Sequence, residues 1–235
     1  MRWEILIICL IFGYLFGSIP FSSIYYRFIG KNKTPSDVEV SVDGTKEIYR
    51  VTSTGAAAAS MTLGARAGCA IGILDMLKVA LPTLVIKLVL SEPSYFLPTA
   101  VAGMIGHDWP VFNKFKGGRG VSSVYGAVLA IDWLGALSVA FGGLLIGLLI
   151  FRDFILAYIA GLWLIIPWMW FRYHDWWYLG FALAINVIFL LAMIPDLKQY
   201  IKFKKMGKAD MDAVMLTTPM GRGMLRIMRI FRLKS

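Results

Sequence analysis

The chain has 235 residues, of which 58% are hydrophobic and 16% charged, and its mean hydropathy is +0.69. An ordinary soluble domain is about 45–50% apolar and about 25% charged, so the composition excludes a water-soluble core and describes one membrane domain. The net charge of +10 does not call for nucleic acid, because the Lys and Arg residues flank apolar blocks, as they do on the cytoplasmic side of a membrane.

Taken in chain order, the apolar blocks predict seven spans: Ile5–Ile29, Ala67–Leu90, Tyr95–Phe112, Val121–Ile131, Leu134–Phe151, Phe154–Phe171 and Trp176–Ile194. The first is too long for the core of a signal peptide and lacks an evident small-residue cleavage site, so it reads as a span. The fourth is too short to cross alone and reads as a half-helix packed inside the bundle. Cys9 and Cys69 lie in or beside apolar segments without metal-ligand spacing or a disulfide framework, which makes them packing residues.

Orientation follows from the basic residues. Lys31, Lys33, Lys46, Arg50, Arg66, Lys114, Lys116, Arg119, Arg152 and the Lys and Arg residues after Pro195 fall on one set of ends. The other set holds Arg2, Arg172 and Lys87. The positive-inside rule then puts the N-terminus outside and the C-terminus in the cytoplasm. Trp168, Trp170, Trp176 and Trp177 bracket the outer turn before the last span, where amphipathic rings favour an interface. The expected fold is therefore all-α, with about seven transmembrane helices over residues 1–195. A small cytoplasmic β-hairpin is expected at about 37–51, from Val38, Val40 and Val42 alternating before Asp43-Gly44. Residues 196–235 form a basic tail. After Pro219, Leu225, Met228 and Phe231 recur at helical spacing with Arg222, Arg226, Arg229 and Arg232, which predicts a surface helix on anionic headgroups; a frayed tail is the alternative.

Chemistry concentrates between the third and fourth spans. Lys114-Phe115-Lys116-Gly117-Gly118-Arg119-Gly120 combines cations with glycines directly before an apolar segment. Glycines let backbone N–H groups line a concavity, a helix N-terminus adds partial positive charge, and Lys or Arg completes an anion site. A tight cytoplasmic turn obeying the positive-inside rule is the plainer reading of the same residues. Gly106-His107-Asp108-Trp109-Pro110 precedes the loop, and histidine can transfer protons near neutral pH, although a histidine at a helix end is more often structural. Asp75 and Lys78 share one helix face inside an apolar block. They are either functional charges at membrane depth or an internal neutralising pair.

These pieces resemble the bacterial integral-membrane glycerol-3-phosphate acyltransferases that use acyl phosphate, the PlsY family. The resemblance rests on Gly17-Ser18-Ile19-Pro20-Phe21, on Asp75-Met76-Leu77-Lys78 with Pro82, and on Gly106-His107 through Pro110-Val111-Phe112 to Phe115-Lys116-Gly117-Gly118-Arg119-Gly120-Val121. It implies seven spans in the cell membrane with the active site at the cytoplasmic face. There, the hydroxyl of glycerol 3-phosphate attacks an acyl phosphate, with no metal or other cofactor. It also implies phosphate binding by Lys116, Gly117, Gly118, Arg119 and Gly120, a catalytic candidate in His107, and supporting roles for Asp75, Lys78 and Arg152.

The departures from the family pattern are specific. Val51 stands where the family has a serine, Met61 where it has an arginine, and Ile155 where it has a second serine. Only Gly55 and Ala56 survive from its first cytoplasmic motif. Pro195-Asp196-Leu197-Lys198 replaces a His-Arg-Glu-Asn run. The lost groups cannot be replaced hydrogen bond for hydrogen bond. A paralogue that binds phosphate or lipid without transferring acyl groups is therefore the alternative reading. A transporter is the third, disfavoured by the lack of paired interrupted helices in two matching halves.

Overall fold

The computed structural model describes residues 1–29, 39–41, 48–50, 54–146 and 154–205. Nine α-helices carry these residues: α1 (Trp3–Gly17), α2 (Phe21–Ile29), α3 (Ala56–Leu63), α4 (Ala65–Leu90), α5 (Pro93–Asp108), α6 (Val121–Ile131), α7 (Trp133–Ile146), α8 (Phe154–Tyr173) and α9 (Trp176–Lys205). Two short strands, β1 (Glu39–Ser41) and β2 (Ile48–Arg50), pair antiparallel with Val40 opposite Tyr49. The expected Asp43-Gly44 turn, Arg152 and the basic residues from Lys208 onward lie outside the described residues.

The segment read as one first span is two helices, broken at Ser18-Ile19-Pro20. Pro20 has no N–H to donate and disfavours helical geometry in the residue before it, so the chain bends although its hydropathy does not fall. At the other end of the chain, α9 continues past Pro195 to Lys205, whereas the apolar pattern ends at Ile194. Hydropathy marks where lipid ends, not where the helix does.

The distribution of side chains is that of a protein surrounded by lipid. Ile7, Ile8, Leu88, Val89, Phe141 and Phe171 are exposed, while Asp75, Lys78, His107, Asp108 and Asn186 are buried. Among the described residues, three segments are long and apolar enough to cross a membrane: Trp3–Ile29, Ala65–Leu90 and Trp176–Lys198. The helices α6 and α7 are shorter and also apolar. Lipid gives apolar side chains little reason to prefer one another, so helix association depends on close packing and interhelical hydrogen bonds. α1 lies against α5 so tightly that a Cβ on Gly17 would collide with the backbone of Gly103. Asn186 in α9 donates to the Leu162 carbonyl of α8 at 3.1 Å.

α6 is buried through Ser123, Val124, Gly126, Ala127, Val128 and Ile131, and packs within the bundle against α4. Its C-terminal carbonyls would lack helical partners at this depth. Lys87 of α4 supplies them, donating to Ala130 at 3.2 Å and Ile131 at 2.7 Å. The next helix begins on Asp132, whose carboxylate accepts from the Gly135 amide at 3.0 Å and from the Trp168 indole at 2.9 Å. With its C-terminal end held by Lys87, α6 is anchored to α4, the helix that carries Asp75 and Lys78.

Candidate active site

α5 ends at Asp108, and Pro110 begins the connection to α6. A single 3-10 turn (Val111–Asn113) follows, and Lys114 and Phe115 then take left-handed backbone angles, with φ of 51° and 58°. The turn closes on itself: the Phe115 amide donates to the Pro110 carbonyl at 2.9 Å and the Lys116 amide to the Asn113 carbonyl at 3.0 Å. The side-chain amide of Asn113 also donates to the Lys116 carbonyl at 2.5 Å. These bonds direct the chain back over the end of α5, where Gly117 and Gly118 meet it.

Both glycines are required by contact. A Cβ on Gly117 would strike the His107 and Asp108 carbonyls, and one on Gly118 would strike the His107 imidazole. The Gly118 amide donates to the His107 carbonyl at 3.2 Å, so that N–H is occupied by the protein itself. The sequence reading of loop amides lining a concavity therefore needs correcting at this position. Gly120 has a different role, because its φ of 79° is accessible to glycine at little cost and it turns the chain into α6.

His107 is buried, with its Nδ1 3.6 Å from Asp75 Oδ1. That distance is within ion-pair range but too long for a hydrogen bond. Asp75 is held at 3.0 Å by the Lys78 ammonium, one helical turn away on α4, and Lys78 also donates to the Ile19 carbonyl at the α1–α2 break at 3.0 Å. Lys78 thus offsets the carboxylate charge that burial would otherwise make costly. The Ser18 hydroxyl, His107 Nδ1 and both oxygens of Asp108 are buried without a hydrogen-bond partner. A cluster with this much unused polar capacity is uncommon in a packed interior.

Of these groups, His107 borders one small, partly open pocket, lined by Pro20, Ser22, Thr54, Gly55, Asp75, Lys78, His107, Pro110, Asn113, Lys116, Gly117 and Gly118. The sequence-predicted residues Asp75, Lys78, His107, Lys116, Gly117 and Gly118 therefore meet at one place. Gly120 lies beside them against the Asp108 carboxylate. Arg119 does not line the cavity. Its guanidinium forks onto Asp196 of α9, with Nε 2.6 Å from Oδ2 and Nη2 3.0 Å from Oδ1. Arg152 lies outside the described residues. A second cavity is mostly apolar, bordered by Leu10, Leu97, Pro98, Val101, Trp176, Trp177, Gly180, Phe181 and Ala184.

The sequence reading missed Ser22, Thr54, Asn113, Asp108 and the role of Asp196. Asp108 carried a usable signal, a charge next to His107 within an apolar block. Thr54 precedes the surviving Gly55, and its amide donates to the Gly117 carbonyl at 3.2 Å, which brings the first cytoplasmic motif to the glycine loop.

The sequence profile of glycerol-3-phosphate acyltransferases matches residues 7–202. The chain belongs to the glycerol-3-phosphate acyltransferase family. A glycerol-3-phosphate acyltransferase of Thermotoga petrophila is 33% identical over 123 residues, 52% of this chain and 57% of that protein. That of Nitrobacter winogradskyi is 36% identical over 132 residues, 56% of this chain and 61% of that protein. The chain thus spans a little over half the length of these curated relatives. Its fold is similar to a crystal structure of PlsY, an integral membrane glycerol 3-phosphate acyltransferase, in its glycerol 3-phosphate form. That likeness has a TM-score of 0.69 at 25% identity and covers 86% of this chain and 93% of the other. The lysophosphatidic acid form gives 0.66 at 24% identity, over 84% and 92%. Membership of the glycerol-3-phosphate acyltransferase family accords with the apolar exterior: this is a membrane protein.

Proposed function

We propose that the protein transfers an acyl group from acyl phosphate to the hydroxyl of glycerol 3-phosphate at the cytoplasmic face of the cell membrane, yielding lysophosphatidic acid for phospholipid synthesis. The observation that carries this reading is the pocket in which His107 meets Lys116, Gly117 and Gly118, in a chain of this family. On this proposal the polar ends of the reactants reach the pocket and the acyl tail extends into lipid. In this reading Lys116 and the glycine loop hold phosphate, with Arg119 as a further cation. His107 takes the proton of the attacking hydroxyl, the ester bond forms at the acyl carbon, the acyl–phosphate bond breaks, and inorganic phosphate leaves with the proton. Asp75 and Lys78 hold His107 in place, and Arg152 supports the site. Seven crossings with the N-terminus outside bring the glycine loop, the β1–β2 pair and the basic tail to the cytoplasmic side, as the basic residues favour.

The specific observation favouring a second reading, binding without transfer, is Met61 in α3, where the family carries an arginine. One assay separates the two: the protein purified in detergent is given palmitoyl phosphate and glycerol 3-phosphate, and lysophosphatidic acid is measured. Product that disappears in His107→Gln supports transfer. Phosphate-dependent binding with no product supports the second reading, and neither product nor binding defeats both.

A further inference from the structure

The position of Arg119 has a consequence for which ligands the site admits. Its guanidinium makes a two-pronged contact with Asp196, through Nε and Nη2 to the two carboxylate oxygens at 2.6 and 3.0 Å. The two side chains are only 18% and 19% exposed, so water screens the pair weakly. The planar fork that fits a carboxylate also fits a phosphate, with the same parallel N–H donors. Arg119 immediately follows Gly117 and Gly118, which line the cavity, and Asp196 comes from α9, 77 residues farther along the chain. A negative group from the last helix is therefore built onto the cation that follows the two glycines. A second carboxylate, Asp108, lies against Gly120 on the other side of that arginine in sequence.

We infer that Asp196 is a specificity-determining residue that competes with the ligand's phosphate for the Arg119 guanidinium, so that a dianionic phosphate monoester displaces it and neutral polyols or monocarboxylates do not. The inference rests on the phosphate-binding reading of the loop given above. A carboxylate carries one charge and a phosphate monoester close to two at neutral pH, and the exchange is driven by that difference. The carboxylate lowers the apparent affinity for every anion, and it lowers it most for those least able to displace it. A purely organising role for Asp196, holding the fork open for phosphate, makes the opposite prediction.

The test is equilibrium binding of glycerol 3-phosphate and of glycerate to the full-length protein in detergent at fixed ionic strength. Wild type is compared with Asp196→Asn, Arg119→Ala and the double variant. Asp196→Asn is expected to bind glycerol 3-phosphate about tenfold more tightly, the change that about 1.4 kcal/mol produces, and to gain measurable affinity for glycerate. Adding Asp196→Asn to Arg119→Ala should leave affinity unchanged. In the transfer assay the same variant lowers KM for the acceptor without raising kcat, a split that a loss of structure does not produce. Asp196→Ser serves as a second variant should the asparagine protein fold poorly. Unchanged or weaker binding of glycerol 3-phosphate by both variants, with wild type binding normally, overturns the competition and leaves the phosphate reading intact. If neither wild type nor variants bind while remaining monodisperse, the inference falls together with that reading.

Discussion

Gly118 lies directly against His107: its amide donates to the histidine carbonyl at 3.2 Å, and a Cβ on it would occupy the place of the imidazole. The loop and the buried histidine therefore cannot be varied independently. Gly118→Ala should displace one of them, with an overpacking cost of about 1–3 kcal/mol, seen as a lower melting temperature in detergent and loss of phosphate binding. Gly55→Ala is the internal control. Its new methyl would come no closer than 3.6 Å to the Gly118 Cα, and its backbone φ of −86° suits any residue, so its melting temperature should match wild type.

If His107 takes the hydroxyl proton, His107→Gln should reduce kcat by about 10²–10⁴-fold while leaving KM for glycerol 3-phosphate within a few-fold. The wild-type rate should fall on the acid side as the imidazole becomes protonated. The residual rate of the variant should not follow that limb. A parallel pH dependence in both proteins would remove His107 from the proton transfer.

Asp75 and Lys78 are both buried and 3.0 Å apart. Asp75→Asn leaves the ammonium without its counter-charge and should cost about 3–5 kcal/mol, whereas replacing both partners with apolar residues of similar volume should cost only about 1–3 kcal/mol, the penalty for the Ile19 carbonyl that Lys78 no longer satisfies. Thermal unfolding of Asp75→Asn, Lys78→Met and Asp75→Leu/Lys78→Met checks this. A double variant no more stable than Asp75→Asn would show that the pair supports packing beyond its own charges.

Lys87 caps α6 through the Ala130 and Ile131 carbonyls. Lys87→Met keeps the apolar stem and removes the donor. It should cost about 1–3 kcal/mol, the penalty for partly buried acceptors left unpaired, again read as a melting-temperature shift. Because α6 carries the glycine loop at its other end, acceptor KM should rise as well.

What the sequence made legible was local. Val121–Ile131 stood out as one apolar helix, and its limits agree with the structure. The pairing of Asp75 with Lys78 followed from their spacing, and the nearness of His107 to the glycine loop followed from the few residues between them. Hydropathy could not register the break at Ser18-Ile19-Pro20, because every residue around it is apolar or small while the cause is a missing N–H. The approach of Asp75 to His107 depends on how α4 packs on α5. Replacement of the His-Arg-Glu-Asn run by Pro195-Asp196 read as a loss. The ion pair across 77 residues shows that the new carboxylate has a partner in the loop whose own cation is an arginine.

The Lys78 ammonium is shared between Asp75 and the Ile19 carbonyl, at the bend from which Pro20 and Ser22 enter the wall of the cavity. One nitrogen thus fixes the shape of the leading segment and the charge balance beside the histidine together. The opening thirty or so residues are consequently not an interchangeable anchor. A foreign hydrophobic leader grafted over Trp3–Ile29 would still insert the protein into a bilayer, but it would leave Lys78 without its backbone acceptor and the cavity without one of its walls.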